Sequence, residues 1–249
     1  MKKPEMKKPN DIVTFLQGVD IFVTIDFDGT ITASDITDAV IKEFARSGWE
    51  EAERLWEAGQ IGSRECLSLQ MSLIDQPLER IIKYACSLQI DRYFADFVGF
   101  LKRMDIRFAV ISDGFRCIID SIFKKAGIDG VPIYANDLST CGHGLKTIFN
   151  SSEGCRNGTC KCRTADMLAC GRPIIHIGDG RSDFCLAGKA SYVFSKGKLT
   201  DYCRTIGIAY SEFADFAEIE RDFKAFLKFV PVSGRTTDKE GIQPGCNII

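Results

Sequence analysis

The feature that most constrains this chain is an abrupt change of character at residue 26. Ile21-Phe22-Val23-Thr24-Ile25 is a short, β-branched apolar run, and it stops at Asp26-Phe27-Asp28-Gly29-Thr30. A run of this kind predicts a strand buried on both faces. The carboxylates that follow must leave the strand, and Gly29 permits the turn. Two further runs end in the same way. Phe108-Ala109-Val110-Ile111 leads into Ser112-Asp113-Gly114, and Ile174-Ile175-His176-Ile177 leads into Gly178-Asp179-Gly180-Arg181-Ser182-Asp183. Val131–Ala135 and Tyr192–Phe194 predict two more strands. Helical patterns fall between them. One runs to Ala126 with Gly127 as its stop, one runs from Lys161 to Cys170, and one lies near 215–229, while 136–160 reads as turns. Strands alternating with helices give an α/β fold with a parallel sheet. In such a sheet ligands bind beyond the carboxyl ends of the strands, so the three acidic ends are expected to meet at one mouth.

Residues 35–104 depart from this alternation. They carry Leu and Ile at helical spacing among Glu, Arg and Lys, with breaks at Gly48, Gly59, Gly62 and Pro77. Three to five helices and no strand are expected there, with Phe94, Phe97 and Phe100 as core packing. Residues 1–18 read as a polar leader, and 231–249, rich in Gly, Pro and Thr, as a loose tail. A net charge of −2 argues against nucleic-acid binding by bulk charge. No apolar run reaches the roughly 18 residues of a membrane span. The basic start lacks the apolar stretch of a secretion signal. The expectation is a cytoplasmic chain with no membrane attachment, a monomer or homodimer. Cys246-Asn247-Ile248-Ile249 is a poor match to a prenylation signal. The chain has 11 cysteines. In a reducing compartment most are expected to be thiols, with Cys117 and Cys170 buried in helical patterns. Cys155, Cys160 and Cys162, with Cys141 and His143 upstream, stay open between thiols, a disulfide and zinc, although their spacing suits zinc poorly.

Asp26 and Asp28, joined by Asp179 and Asp183 from another strand end, would place four carboxylates together. Such a group repels itself unless protons or a cation relieve it. Mg²⁺, a hard ion held by oxygen, suits the set. Ser112, the amides around Gly29, Thr30, Asp113 and Gly114, and Lys161 suit a phosphate. The chemistry this suggests is attack by an aspartate on a phosphomonoester, giving an aspartyl-phosphate that water hydrolyses.

In order, Asp26–Thr30, Ile111–Gly114, Lys161 and Gly178–Asp183 resemble the four motifs of the haloacid dehalogenase superfamily phosphatases, over roughly residues 19–190. Asp26-Phe27-Asp28-Gly29-Thr30-Ile31-Thr32 and the cysteine-containing stretch before Lys161 are most similar to the phosphoserine-phosphatase-like branch. Within that branch they resemble the group holding the methionine-salvage keto-phosphate phosphatase and the phosphoethanolamine/phosphocholine phosphatases. The resemblance implies a Rossmann-like catalytic core over 19–34 and 105–230, with a small helical cap inserted at 35–104. It also implies that Asp26 is the nucleophile and Asp28 the acid/base, with its main-chain carbonyl near Mg²⁺. Ser112 and Lys161 would hold the phosphoryl group, Asp179 would ligate Mg²⁺, and Asp183 would support the metal shell.

Each residue also has a plainer reading. Ser112 could cap a helix, and Lys161 could be a solvated lysine with Lys146 as its rival. His176, among isoleucines, reads as a core histidine. Arg64 and Asp35 are the candidates in the insert for touching the leaving group. The expected activity is Mg²⁺-dependent hydrolysis of a small phosphorylated metabolite. The alternatives are a phosphotransferase or mutase using the same phospho-aspartate, or a non-catalytic binder of phosphorylated metabolites.

Overall fold

The computed structural model describes residues 20–141, 144–151 and 153–228. The leader, His143 and the tail with Cys246 lie outside them. The first strand, β1 (Phe22–Ile25), is buried at every position. It pairs in parallel with β2 (Arg107–Phe115) on one side and β5 (Ile174–Gly178) on the other. Strands β3 (Ile133–Cys141) and β4 (Gly144–Ile148) extend the sheet beyond β2, and β6 (Tyr192–Ser195) and β7 (Tyr210–Glu212) extend it beyond β5. The order is β4-β3-β2-β1-β5-β6-β7, and among the described strands only the β3–β4 pair is antiparallel. The chain moves outward from β1 through β2 to β3, then returns to β1's other side. The crevice at this switch of direction lies at the carboxyl end of β1.

Register explains why the acidic strand ends meet. Ile25 stands opposite Val110 of β2 and Ile177 of β5. The residues that follow, at 26, 111–114 and 178–179, therefore leave the same edge. The Asp26 amide donates to Ile177 O at 2.9 Å, fixing the first step out of the strand. The β2–β3 register shifts between Ile111 and Phe115, so Ser112, Asp113 and Gly114 sit in a bulge. A bulge turns side chains out of the ladder and towards the mouth.

Five helices fill the segment after β1: α1 (Ile36–Phe44), α2 (Trp49–Glu57), α3 (Ser63–Ser72), α4 (Leu78–Ala85) and α5 (Phe94–Arg103). Later in the chain come α6 (Arg116–Ala126), α7 (Lys161–Ala169), α8 (Phe184–Ala187), α9 (Gly197–Ile206) and α10 (Phe216–Lys228). Gly127 ends α6 at φ +67°, as the sequence predicts. Helix α5 packs against β2 and α10. Phe94 meets Phe123 at 5.5 Å and Phe216 at 5.0 Å, and Phe97 meets Phe223 at 5.9 Å, so the Phe94/Phe97/Phe100 series is core. Each such ring buried contributes about 2–3 kcal/mol, which ties the end of the helical segment to the sheet.

Three expectations need correction. The stretch 136–160 is not all turns, because β3 runs to Cys141 and forms a hairpin with β4. Its residues are half exposed and polar, so they lack the apolar run of a buried strand. The short edge strand β7 and helices α8 and α9 also carried no strong period. Cys117 is half-buried rather than buried, and Cys170 is exposed. Cys170 is the C-cap of α7 at φ +49°, which turns it off the helix's apolar face. Among the described residues no helix is long and apolar enough to cross a membrane.

Candidate functional site

At the carboxyl edge Lys161, the first residue of α7, sits only 2% exposed with its ammonium between two carboxylates. Nζ donates to Asp26 Oδ1 at 2.6 Å, to Asp183 Oδ1 at 2.7 Å and to Ser182 Oγ at 2.9 Å. Asp26, Asp179 and Asp183 offer carboxylate oxygens that all lie within 4.8 Å of one another. This oxygen-only donor set fits a hard divalent cation. Among the described residues it is the one group of three or more His, Cys, Asp or Glu side chains able to hold a metal. No described cysteine belongs to such a group. Cys160 and Cys162 lie with sulfurs 3.8 Å apart, a hydrogen-bond separation rather than a disulfide.

Gly29 explains how Asp179 comes so near β1. Its φ is +70°, and a Cβ there would stand 2.4 Å from Asp179 Oδ2. Neither the conformation nor the space admits another residue readily. Thr30, fully buried, donates its hydroxyl to Asp179 Oδ1 at 2.9 Å. It holds Asp179 rather than facing the cavity.

Asp28 points elsewhere. Its Oδ1 accepts the amides of Ile36 at 2.8 Å and Thr37 at 3.3 Å, and its Oδ2 accepts the Thr37 hydroxyl at 3.2 Å. It thus sits on the N-terminus of α1, where the helix dipole favours an anion. Its carboxylate is not part of the acidic triad. Burial raises its pKa, and the α1 amides hold back part of that rise. Asp28 and Ser112 both line the cavity. Ser112 is fully buried and its Oγ accepts the Gly114 amide at 2.9 Å. It caps this bulge, and the helix behind it starts from Phe115 instead. Gly114 lies against Asp28, since a Cβ there would be 2.6 Å from Oδ2.

Asp113 lines the cavity but is occupied. It accepts the Ser63 hydroxyl from α3 and the Thr159 amide at 2.6 Å, so it clasps the helical segment to the loop before α7. Asp35 also lines the cavity and caps α1 through the Asp38 amide at 2.8 Å. Arg64 is not at the mouth. Its guanidinium donates to Cys155 O at 2.6 Å and borders a separate groove with Leu69, Phe149 and Arg156. Lys146, the rival lysine, is exposed on β4. The structure also brings in Glu53, Trp56, Gln70 and Arg181, which line a cavity of about 140 Å³. No motif marks the first three in the sequence. Arg181 and Ser182 stand inside the Gly178–Asp183 cluster, and that was their only signal.

The electrostatics are lopsided. Burial and then Asp183 push the Asp26 carboxyl well up, with Lys161 opposing. Burial would also raise Asp183, but Lys161 and His176 outweigh it and hold it below the carboxylate range. Asp179 is pushed up to about 6 by burial and by Asp183.

A family model described as haloacid dehalogenase-like hydrolase matches residues 23–188. The chain belongs to the haloacid dehalogenase family. A 2-hydroxy-3-keto-5-methylthiopentenyl-1-phosphate phosphatase of Microcystis aeruginosa is 32% identical over 200 residues, covering 79% of this chain and 94% of that one. Pdp3-interacting factor 1 of Schizosaccharomyces pombe is 28% identical, covering 82% and 95%. An apo phosphoserine phosphatase structure superposes at a TM-score of 0.61 with 20% identity, covering 84% of this chain and 98% of that one. The chain is accordingly a phosphatase of the haloacid dehalogenase family, and a small phosphorylated substrate fits it.

The raised Asp179 makes a stability prediction for this phosphatase. Its folded pKa of about 6 exceeds the ordinary 3.8. Between those values the folded state holds more protons than the unfolded one, so cation-free stability falls as pH rises through that window. Asp179→Asn should stabilise the cation-free protein at pH 7 by about 1–3 kcal/mol and flatten that pH dependence. It should also remove most stabilisation by added divalent cation. Thermal unfolding in chelator at pH 5 and pH 7, then with cation, checks both. A variant no more stable than the wild type at pH 7 counts against the crowding of carboxylates.

Proposed function

We propose that this chain hydrolyses a small phosphomonoester through a phosphorylated Asp26, with Mg²⁺ as its metal. The observation that carries the reading is the Asp26 carboxylate on the cavity floor, 2.6 Å from a buried lysine and within reach of Asp179 and Asp183. Asp26 attacks phosphorus while the leaving alcohol departs. Asp28, whose pKa is raised by burial, gives that alcohol its proton and later takes one from water. Lys161 and the Ser112 hydroxyl hold the phosphoryl oxygens. Asp26 and Asp179 would ligate Mg²⁺, with Asp183 beside them. Bound there, the ion supplies positive charge to the phosphoryl oxygens. In this reading residues 35–104 act as the cap over a core of 19–34 and 105–230, with α5 anchoring the cap. Arg181 Nη1, donating to Glu57 O at 2.6 Å, and the Ser63–Asp113 clasp hold the two together.

The cap wall narrows the leaving group. Asp35, Asp38 and Glu53 face the cavity beside Trp56, and Gln70 Nε2 holds Glu53 Oε2 at 2.9 Å. Carboxylates repel an anionic leaving group, whereas an aromatic face beside them favours a neutral or cationic one. A panel of phosphomonoesters, assayed for inorganic phosphate with water as the sole acceptor, tests the function. We expect neutral or ammonium-bearing alcohols to exceed phosphoglycerates in kcat/KM by about tenfold or more. Glu53→Gln should raise KM several-fold for ammonium-bearing substrates alone. Release of no phosphate from any member, with Mg²⁺ present, rejects hydrolysis.

A further inference from the structure

His176 lies in the middle of β5, 1% exposed, on the same face as Gly178 two residues on. Its Nδ1 is 3.0 Å from Thr24 Oγ1 on the neighbouring strand β1. Its Nε2 is 3.2 Å from Asp183 Oδ1, a close charge contact bent too far to count as a hydrogen bond, so that this buried nitrogen has no other polar partner among the described residues. Gly178 keeps this approach open, because a Cβ there would stand 2.7 Å from both His176 Nε2 and Asp183. The Thr24 hydroxyl has two acceptors in reach, Nδ1 at 3.0 Å and Ile175 O at 3.4 Å. Sending its proton to the nearer one leaves the ring hydrogen on Nε2, facing the carboxylate. The opposite tautomer would aim a nitrogen lone pair at a carboxylate oxygen in a water-free interior, an arrangement that is strongly penalised.

Asp183 is the other half of this contact. It is fully buried, and its remaining partners are Lys161 Nζ at 2.7 Å on Oδ1 and the amides of Asp179 at 3.2 Å and Gly180 at 3.1 Å on Oδ2. Those two amides belong to the turn that presents the Asp179 carboxylate to the acidic triad. Whatever fixes the Asp183 carboxylate therefore fixes Asp179 and Lys161 at once.

We propose that His176 is a positioning residue for the metal-binding carboxylates: its Nε2–H, 3.2 Å from Asp183 Oδ1, steadies that carboxylate by charge–dipole attraction, and Asp183 in turn sets Asp179 and Lys161. The inference rests on the reading of the triad as a divalent-cation site. It departs from the plainer reading of His176 as core filling, and the two make opposite forecasts. A histidine that merely fills space between Ile175 and Ile177 would be replaced well by leucine. A histidine whose Nε2–H faces the carboxylate would be replaced by glutamine, whose amide N–H can reach the position of Nε2.

The test measures Mg²⁺ binding by calorimetry on the unliganded full chain, with no substrate present. We expect His176→Leu to weaken the dissociation constant about 10- to 100-fold, the usual loss when a ligand's orienting partner goes. His176→Gln should stay within about threefold of the wild type. Leucine binding as tightly as the wild type, or glutamine as weakly as leucine, overturns the proposal. A ¹⁵N spectrum of the histidine rings gives a readout independent of the metal and of whether the leucine variant folds. The chain has 2 histidines, so the His176→Gln spectrum identifies the ring. A protonated Nε2 supports the assignment, and a ring with its proton on Nδ1 alone overturns it. Failure of the wild type to bind Mg²⁺ would instead reject the metal reading of the triad, leaving the ring spectrum to decide His176.

Discussion

Asp26→Asn should lower kcat for p-nitrophenyl phosphate by about three orders of magnitude or more, with the fold intact. The amide fits the same space but is no nucleophile. Asp26 is 4% exposed and its carboxylate carries a pKa raised by burial and by Asp183, so removing the charge should not destabilise the floor. Lys161 keeps its partner Asp183 at 2.7 Å. Circular dichroism and the unfolding midpoint should therefore match or exceed the wild type. Retention of more than about 1% activity rejects Asp26 as the nucleophile. A complementary readout is label transfer from a phosphorylated substrate to acid-precipitated protein. That label should be stable to acid, released by hydroxylamine, and absent from the variant.

The sheet and its mouth were legible because they depend on strand patterns that a buried parallel strand cannot avoid. Phe22–Ile25 and Ile174–Ile177 are buried on both faces, so they are apolar apart from Thr24 and His176, which pair with each other, and their polar ends mark where the chain leaves the sheet. Positions 26, 112 and 179 were therefore readable. Of the four carboxylates expected together at such ends, Asp26, Asp179 and Asp183 meet, while Asp28 turns to the N-terminus of α1. The β3–β4 hairpin was not, because its strands are half exposed and need no continuous apolar run. Nor was the cap wall. Glu53 and Trp56 lie one turn apart on α2, a pattern shared by any helix with a solvated face. Which face meets the cavity depends on how α2 and α3 dock, through contacts such as Ser63 with Asp113. Those join residues far apart in the chain. Arg64 shows the same limit from the other side: its charge was visible, but docking sent it to Cys155 O and away from the mouth.

Lys161→Met should destabilise the protein by about 3–5 kcal/mol in chelator at pH 7, the range for removing one partner of a buried ion pair. The ammonium sits at the first turn of α7, where the helix dipole disfavours a cation, and it is 2% exposed, where desolvation opposes it further. Asp26 and Asp183, at 2.6 and 2.7 Å, outweigh both effects and raise its pKa. Methionine nearly matches the stem but leaves two carboxylates facing each other with no counter-charge. One of them must then take a proton or a cation. The deficit measured by urea unfolding should shrink as pH falls from 7 towards 5, and shrink again with millimolar Mg²⁺, since each supplies the missing positive charge. If Lys161 holds the phosphoryl group as proposed, kcat should still fall about 10²- to 10³-fold with Mg²⁺ saturating. A deficit unchanged by pH and by cation would mean that the loss is one of packing. Lys161 would then be a structural strut, and the charge balance argued for the cavity floor would be wrong.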